Sequence, residues 1–368
     1  MASALRRTLA PNNQQWVGRT LTQEEAREVA DTHFRFLKRK PGGAPAILNS
    51  AVMAGLDLSH TILSEAQMSG ADLKGARLTA AVLDRSNLFA ADLRGCDLRF
   101  ASLIGADVRG ASLRGADLSL AILDNADFRS AVMLRQTPNG DSVKELPNSG
   151  HIRGGVDFSG ASLKSASFKG AALKGVNFKD AILQGAAFKS AKFENVCLTG
   201  AVLTDVFREE LPFSDAELRG AVLAPTREAA ARCLKILPLL QEHERWVTTG
   251  GRDGQAAILD DEDIRPLSKS LKGRELTAIC CRRVLGVGAD FSGSQLQGAN
   301  FECADLRDAN FTGADLRGTN FKGANLSYAT FDKADIRSLP MPNRALPVNF
   351  TDARFRQEQF ARSVHDKV

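Results

Sequence analysis

From Leu48 to Met133, every fifth residue is apolar: Leu48, Met53, Leu58, Leu63 and so on without a break through Phe128. A period of five belongs to neither common element. Five residues of α-helix advance about 500°, which carries an apolar row around every face. In a flat strand, an odd period sends successive apolar residues to opposite faces. The apolar residue and the one two places before it share parity, so within one repeat they point the same way. That earlier slot is mostly Ala, as at Ala71, Ala76, Ala81, Ala91 and Ala101. Only a chain that turns once per repeat keeps both slots inside. A solenoid with short sides and frequent corners meets that demand. Small Ala and large Leu or Phe point inward, while the Asp/Asn, following and Gly/Ser slots face water or form the corner.

The pattern resumes at Phe158 in the same register and runs to Leu203, then weakens through Leu223. A third array runs from Phe291 to Ile336. The 20 Phe against 2 Trp and 1 Tyr fit this reading, since a stacked apolar slot has no use for a polar handle. The unit reads Ala-Asp-Leu-x-Gly, as in Ala71-Asp72-Leu73-Lys74-Gly75, Gly298-Ala299-Asn300-Phe301 and Gly313-Ala314-Asp315-Leu316.

This repeat resembles the pentapeptide-repeat family. The resemblance implies an all-β solenoid, a right-handed quadrilateral β-helix with one pentapeptide on each of four sides. Residues twenty apart would then stack about 4.8 Å apart. The inward slots expected in the stacked core include Leu73, Leu78, Leu93, Leu98, Leu113, Phe168, Phe178, Phe301, Phe311 and Phe321. On the outside, Lys74, Arg94 and Arg114 fall twenty apart, as do Arg109 and Arg129. These two basic columns are the candidate interaction surface, to be weighed against plain solvated ladders.

The interruptions divide the chain. Residues 1–45 read as a basic arm and an N-terminal capping helix, with Thr22 and Glu25 as a capping box. Residues 46–224 read as the first β-helix, with a Pro/Asn/Gly-rich loop over 134–157 leaving one side of a single solenoid. Residues 225–256 read as a helical linker or cap containing Pro238, 257–340 as a second β-helix, and 341–368 as a C-terminal tail. The two helices share a plan: His33-Phe34-Arg35-Phe36-Leu37 precedes Ala46-Ile47-Leu48, and His243-Glu244-Arg245-Trp246-Val247 precedes Ala257-Ile258-Leu259. An open β-helix end exposes backbone and core, so His33, Phe36, His243 and Trp246 are the capping candidates. Phe36 and Trp246 are expected to lie across the ends, with Trp246 buried and Trp16 more exposed.

Chemistry is absent from the pattern. The six Cys are scattered and the five His isolated, which offers no metal site and fits a reducing cytoplasm. No phosphate loop, zinc-protease or nucleophile-elbow motif occurs, so neither an enzyme nor a cofactor is expected. No apolar stretch is long enough for a membrane span, and the first 15 residues lack the apolar run of a secretory leader. The net charge of +5 is spread without a nucleic-acid footprint. The expectation is a noncatalytic bacterial scaffold or protein-interaction module with an unidentified protein partner; homo-oligomers through a solenoid end are compatible with it. The resemblance also admits a DNA-mimicking modulator of DNA gyrase or topoisomerase, or a secreted effector. DNA mimicry demands a strongly negative surface, and the first two arrays, residues 46–135 and 156–207, together carry a charge of about +1.

Overall fold

The computed structural model describes residues 15–130, 133–136, 142–145, 151–153, 155–342 and 344–365. Residues 1–14 of the basic arm, and residues 137–141, 146–150 and 154 of the interruption, lie outside them. The chain divides into two units, Met1–Ala224 and Pro225–Val368.

In the first unit, helix α1 (Gln23–Leu37) opens with both halves of the capping box. The Thr22 hydroxyl accepts the Glu25 N–H at 3.2 Å, and the Glu25 carboxylate accepts the Thr22 N–H at 2.8 Å. Ala26, Val29, Ala30 and His33 form the buried stripe of α1, and its apolar members join the same core as Leu48 and Met53. Just before the helix, Thr20 bridges Val52 and adds a short rung to the first coil.

The repeat then stacks on itself every twenty residues. Ile47, Gln67, Asn87, Asp107 and Asp127 form one parallel column, and three similar columns complete each coil. Each side holds only one or two rungs, so the hydrogen bonds run between coils: Leu93 N–H to Ser112 C=O at 2.8 Å, and Ser112 N–H to Ala91 C=O at 2.9 Å. The corners explain why the chain can turn once per repeat. Gly75 sits at φ 66°, in the left-handed region, and so do Phe100 at 61° and Leu120 at 59°. Left-handed backbone costs a residue with a Cβ about 1–2 kcal/mol, which is why Gly recurs there. Where Cys96 fills the small inward slot, its Sγ reaches Leu73 C=O at 2.9 Å.

Across the interruption the stack does not break. Asp117 bridges Asp157, Ile122 bridges Ser162 and Asp127 bridges Ser167. Within the excursion, strands β1 (Met133–Gln136) and β2 (Ser142–Glu145) pair antiparallel. The chain returns through β3 (His151–Arg153), which begins a parallel sheet with β4 (Ala172–Lys174) and β5 (Lys192–Glu194). Beyond β5 regular pairing fails on three sides, and side chains take over. Glu210 accepts the Phe188 N–H at 2.6 Å, and Arg208 binds the carbonyls of Leu211 and Phe213.

The second unit repeats the plan with helix α2 (Arg227–Thr248), which carries Pro238 within it. Here the first coil spans 22 residues, Ile258 to Cys280, because a 3-10 turn over Arg265–Ser270 is inserted. Arg274 ion-pairs with Glu244 at 3.0 Å, and Lys269 is exposed. The twenty-residue spacing then holds from Cys280 to Asp335. Phe rings stack along the core, Phe291 on Phe311 at 5.2 Å and Phe311 on Phe331 at 5.2 Å.

The stack does not stop at 340. A hairpin of β6 (Leu339–Met341) and β7 (Arg344–Leu346) stretches the spacing, so that Asn320 bridges Asn349 and Asp335 bridges Val364. Phe350 stacks on Phe321 at 5.6 Å. The segment read from sequence as a tail therefore supplies one more coil, which the hairpin shifts out of the five-residue register.

One glycine position recurs in both units. Gly43 packs where an added Cβ would collide with the Arg35–Phe36 backbone, and Gly254 packs equally tightly on Glu242 C=O and Trp246 N. Gly254 also sits at φ 82°. We expect Gly254→Ala to cost the second unit about 2 kcal/mol or more, read as a lower melting temperature; an unchanged one would contradict this packing.

Candidate functional site

The outer faces are built from one local device. An Asp just before the central Leu turns its Oδ1 back onto the N–H two residues later, and the residue at that position is often Arg. Asp97 Oδ1 accepts the Arg99 N–H at 3.2 Å, and the Arg99 guanidinium grips both carboxylate oxygens at 2.8 and 2.7 Å. Asp92–Arg94, Asp107–Arg109 and Asp127–Arg129 make the same clamp in the first unit, and Asp305–Arg307, Asp315–Arg317 and Asp335–Arg337 do so in the second. The guanidinium hydrogen bonds pull the Asp97 carboxyl down to about 2.

The clamps correct the expected basic columns. Arg94, Arg109 and Arg129 are neutralised in place, because a bidentate pair holds each charge against its own neighbour. Of the five residues proposed as an interaction surface, only Lys74 and Arg114 have no carboxylate partner among the described residues, and Arg94 separates them in the column. The sequence signal for this was Asp-x-Arg, visible in every such repeat. Further on, Lys169, Lys179, Lys189 and Lys192 are exposed, and among the described residues no carboxylate pairs with them. There the Asp of the clamp is replaced by Ser167, Asn177 and Ala187, and the Arg by Lys.

The inward candidates Leu73, Leu78, Leu93, Leu98, Leu113, Phe168, Phe178, Phe301, Phe311 and Phe321 are all buried to 1% exposure or less. The capping candidates divide. His33 and His243 are fully buried. His33 Nδ1 accepts the Ala46 N–H at 3.0 Å, so Nε2 carries the proton and donates to Ser64 C=O at 2.7 Å. His243 Nδ1 accepts the Ala257 N–H at 3.1 Å, but its buried Nε2 reaches no acceptor in hydrogen-bond geometry. Burial holds both imidazoles below their ordinary value.

Phe36 and Trp246 do not seal the ends. Phe36 is 42% exposed, and its ring lies over His33 at 6.0 Å as Trp246 lies over His243 at 5.6 Å. The imidazole occupies the interior because it can satisfy a backbone N–H there, which a benzene or indole face cannot. Trp246 and Trp16 are alike half-buried, so the expected contrast between them is absent.

Other chemistry is thin. Among the described residues, no three His, Cys, Asp or Glu gather as metal ligands, and no helix is long and apolar enough to cross a membrane. A cleft of about 200 Å³ beside α2 is lined by Leu239, Glu242 and Gln255–Ile258, and its single carboxylate pairs with Arg245.

Stacked coils of twenty residues, apolar inside and laddered outside, define a β-helical repeat solenoid. A profile of pentapeptide repeats matches in eight copies, over residues 46–79, 91–129, 154–180, 168–205, 287–313 and 304–338. The chain belongs to the pentapeptide-repeat family, whose fold is a right-handed β-helix. Among solved structures, it is similar to QnrB1, a plasmid-mediated fluoroquinolone resistance protein, at 14% identity over 77% of this chain and 92% of that one, with a TM-score of 0.20. It is similar to HetL of the cyanobacterium Nostoc, a pentapeptide repeat protein involved in heterocyst differentiation regulation, at 22% identity over 82% and 86%, TM-score 0.13. A third similar structure is the pentapeptide repeat protein Rfr23 of the cyanobacterium Cyanothece, at 21% identity over 40% and 63%, TM-score 0.16. No curated protein sequence matches the chain.

Proposed function

We propose that this protein is a noncatalytic interaction scaffold of the bacterial cytoplasm, built from two helix-capped, four-sided β-helical blocks. The observation that carries the reading is how its polar groups are used. The inward slots are filled mostly by Ala, Leu and Phe, and most outward Arg residues of the coils are held by an Asp or Glu beside them, in clamps or across coils. No nucleophile, base and orienting group converge in the described residues. What such a molecule offers a partner is a stiff face with residues at a fixed axial repeat.

The reading is tested by cross-linking the full chain in a lysate of its host and identifying what is captured. A discrete protein, recovered at constant ratio and lost when the chain is heat-unfolded first, is the expected result. Recovery of nothing above the unfolded control would overturn the scaffold reading. The same chain is expected not to inhibit gyrase supercoiling. Inhibition at submicromolar protein would favour DNA mimicry instead.

A further inference from the structure

We propose that the corner carrying Lys169, Lys189 and Lys192 in the first unit docks an acidic segment of a partner protein; this rests on the scaffold reading and gives it a location. The argument begins with the clamps. Upstream on the same side, Arg109 and Arg129 are each held by the Asp two residues before them. The column continues through Lys169 and Lys189, since Asp127 bridges Ser167 and Ser167 bridges Ala187. Ser and Ala now stand where the clamping Asp stood, so among the described residues these two ammonium groups have no counter-ion.

The two lysines lie on consecutive coils, with the Gly170 N–H bonded to Lys189 C=O at 2.9 Å. Lys192, in β5, follows three residues after Lys189, just past the corner. Other lysines nearby do find acids. Lys164 lies 3.7 Å from Asp124, and Lys174 pairs with Glu194. Of the four lysines left over, Lys169, Lys189 and Lys192 are neighbours at one corner, and Lys179, beside the Asp157–Asn177 column, lies on another side.

Their chemistry favours carboxylates on a peptide over nucleic acid. Tight phosphate-backbone binding draws on more contacts, about 6–10 of them, and on arginine forks. The arginines of this column are already occupied. Flexible lysines one coil apart suit alternate carboxylates of an extended chain, about 6.6–6.8 Å apart.

The test is fluorescence anisotropy of a labelled oligoglutamate peptide on the full chain at low salt. Lys169→Glu/Lys189→Glu is expected to weaken binding about tenfold, in line with two reversed charge contacts. The charge-matched control Lys74→Glu/Arg114→Glu is expected to change it less than about twofold, since its cations lie elsewhere on the solenoid. Lys169→Gln/Lys189→Gln serves if charge reversal disturbs folding. No binding by the wild type, equal weakening in the control, or tighter binding of an oligonucleotide would each overturn the proposal. If the cross-linked protein is captured equally by wild type and Lys169→Glu/Lys189→Glu, the corner is refuted while the scaffold reading stands.

Discussion

Leu113→Arg is expected to destabilise the first unit by about 3–5 kcal/mol or more, while Arg114→Leu, one residue along, is expected to stay within about 0.5 kcal/mol. Leu113 is 1% exposed in the stacked core, and Arg114 is exposed and has no carboxylate partner among the described residues. A guanidinium forced into the Leu113 slot enters an apolar core, and an unpaired buried charge is far costlier than a lost methyl. The partner substitution removes a solvated charge and leaves the coil-to-coil hydrogen bonds untouched. Urea unfolding of the full chain, followed by circular dichroism, reads both. Equal effects at the two positions would mean that the inward register is wrong.

The second large effect concerns the buried histidines. His33→Ala is expected to cost about 3 kcal/mol or more, because it opens a cavity and strands the Ala46 N–H and the Ser64 C=O. His243→Ala is expected to cost less, since only the Ala257 N–H loses a partner. Acid should act in the same way. Protonation converts Nδ1 from acceptor to donor and breaks its bond to the backbone N–H. Burial depresses both folded-state values, so the stabilisation is complete above about pH 6.5 and fades as pH falls toward those values. The loss approaches about 1.4 kcal/mol per pH unit for each histidine in that window, softened by Glu65 near His33 and Glu244 near His243. The clamps do not contribute there. Asp97 is held at about 2, so its stabilisation is present above the ordinary carboxylate range and is lost only in stronger acid. A melting temperature that falls between pH 7 and pH 5 in wild type, and falls less in His33→Gln/His243→Gln, is the expected outcome. Identical pH profiles would remove the histidines as the cause.

Much of this protein was legible one residue at a time. A five-residue apolar period admits no straight helix and no flat strand, so the amino-acid order alone determined a chain that turns every repeat, with Leu73 or Phe301 inside. The capping box at Thr22 and the duplicated His33 and His243 segments were local patterns of the same kind. The tertiary structure decided whatever depends on which residues meet across coils. Stacking carried Phe350 onto Phe321 past a hairpin, although the linear register had been lost. It also made the imidazole, rather than Phe36 or Trp246, the interior residue, because only there does a backbone N–H from Ala46 or Ala257 need an acceptor. The fate of the charges was settled by geometry as well. Asp and Arg two residues apart on one face close into a clamp, so the Arg109–Arg129 column, basic in sequence, carries little free charge. The same column a coil further on, with Ser167 and Ala187 in place of Asp, leaves Lys169 and Lys189 unpaired. Sequence periodicity specifies which way a side chain points; the partner it meets is set by the coil stacked above or below it.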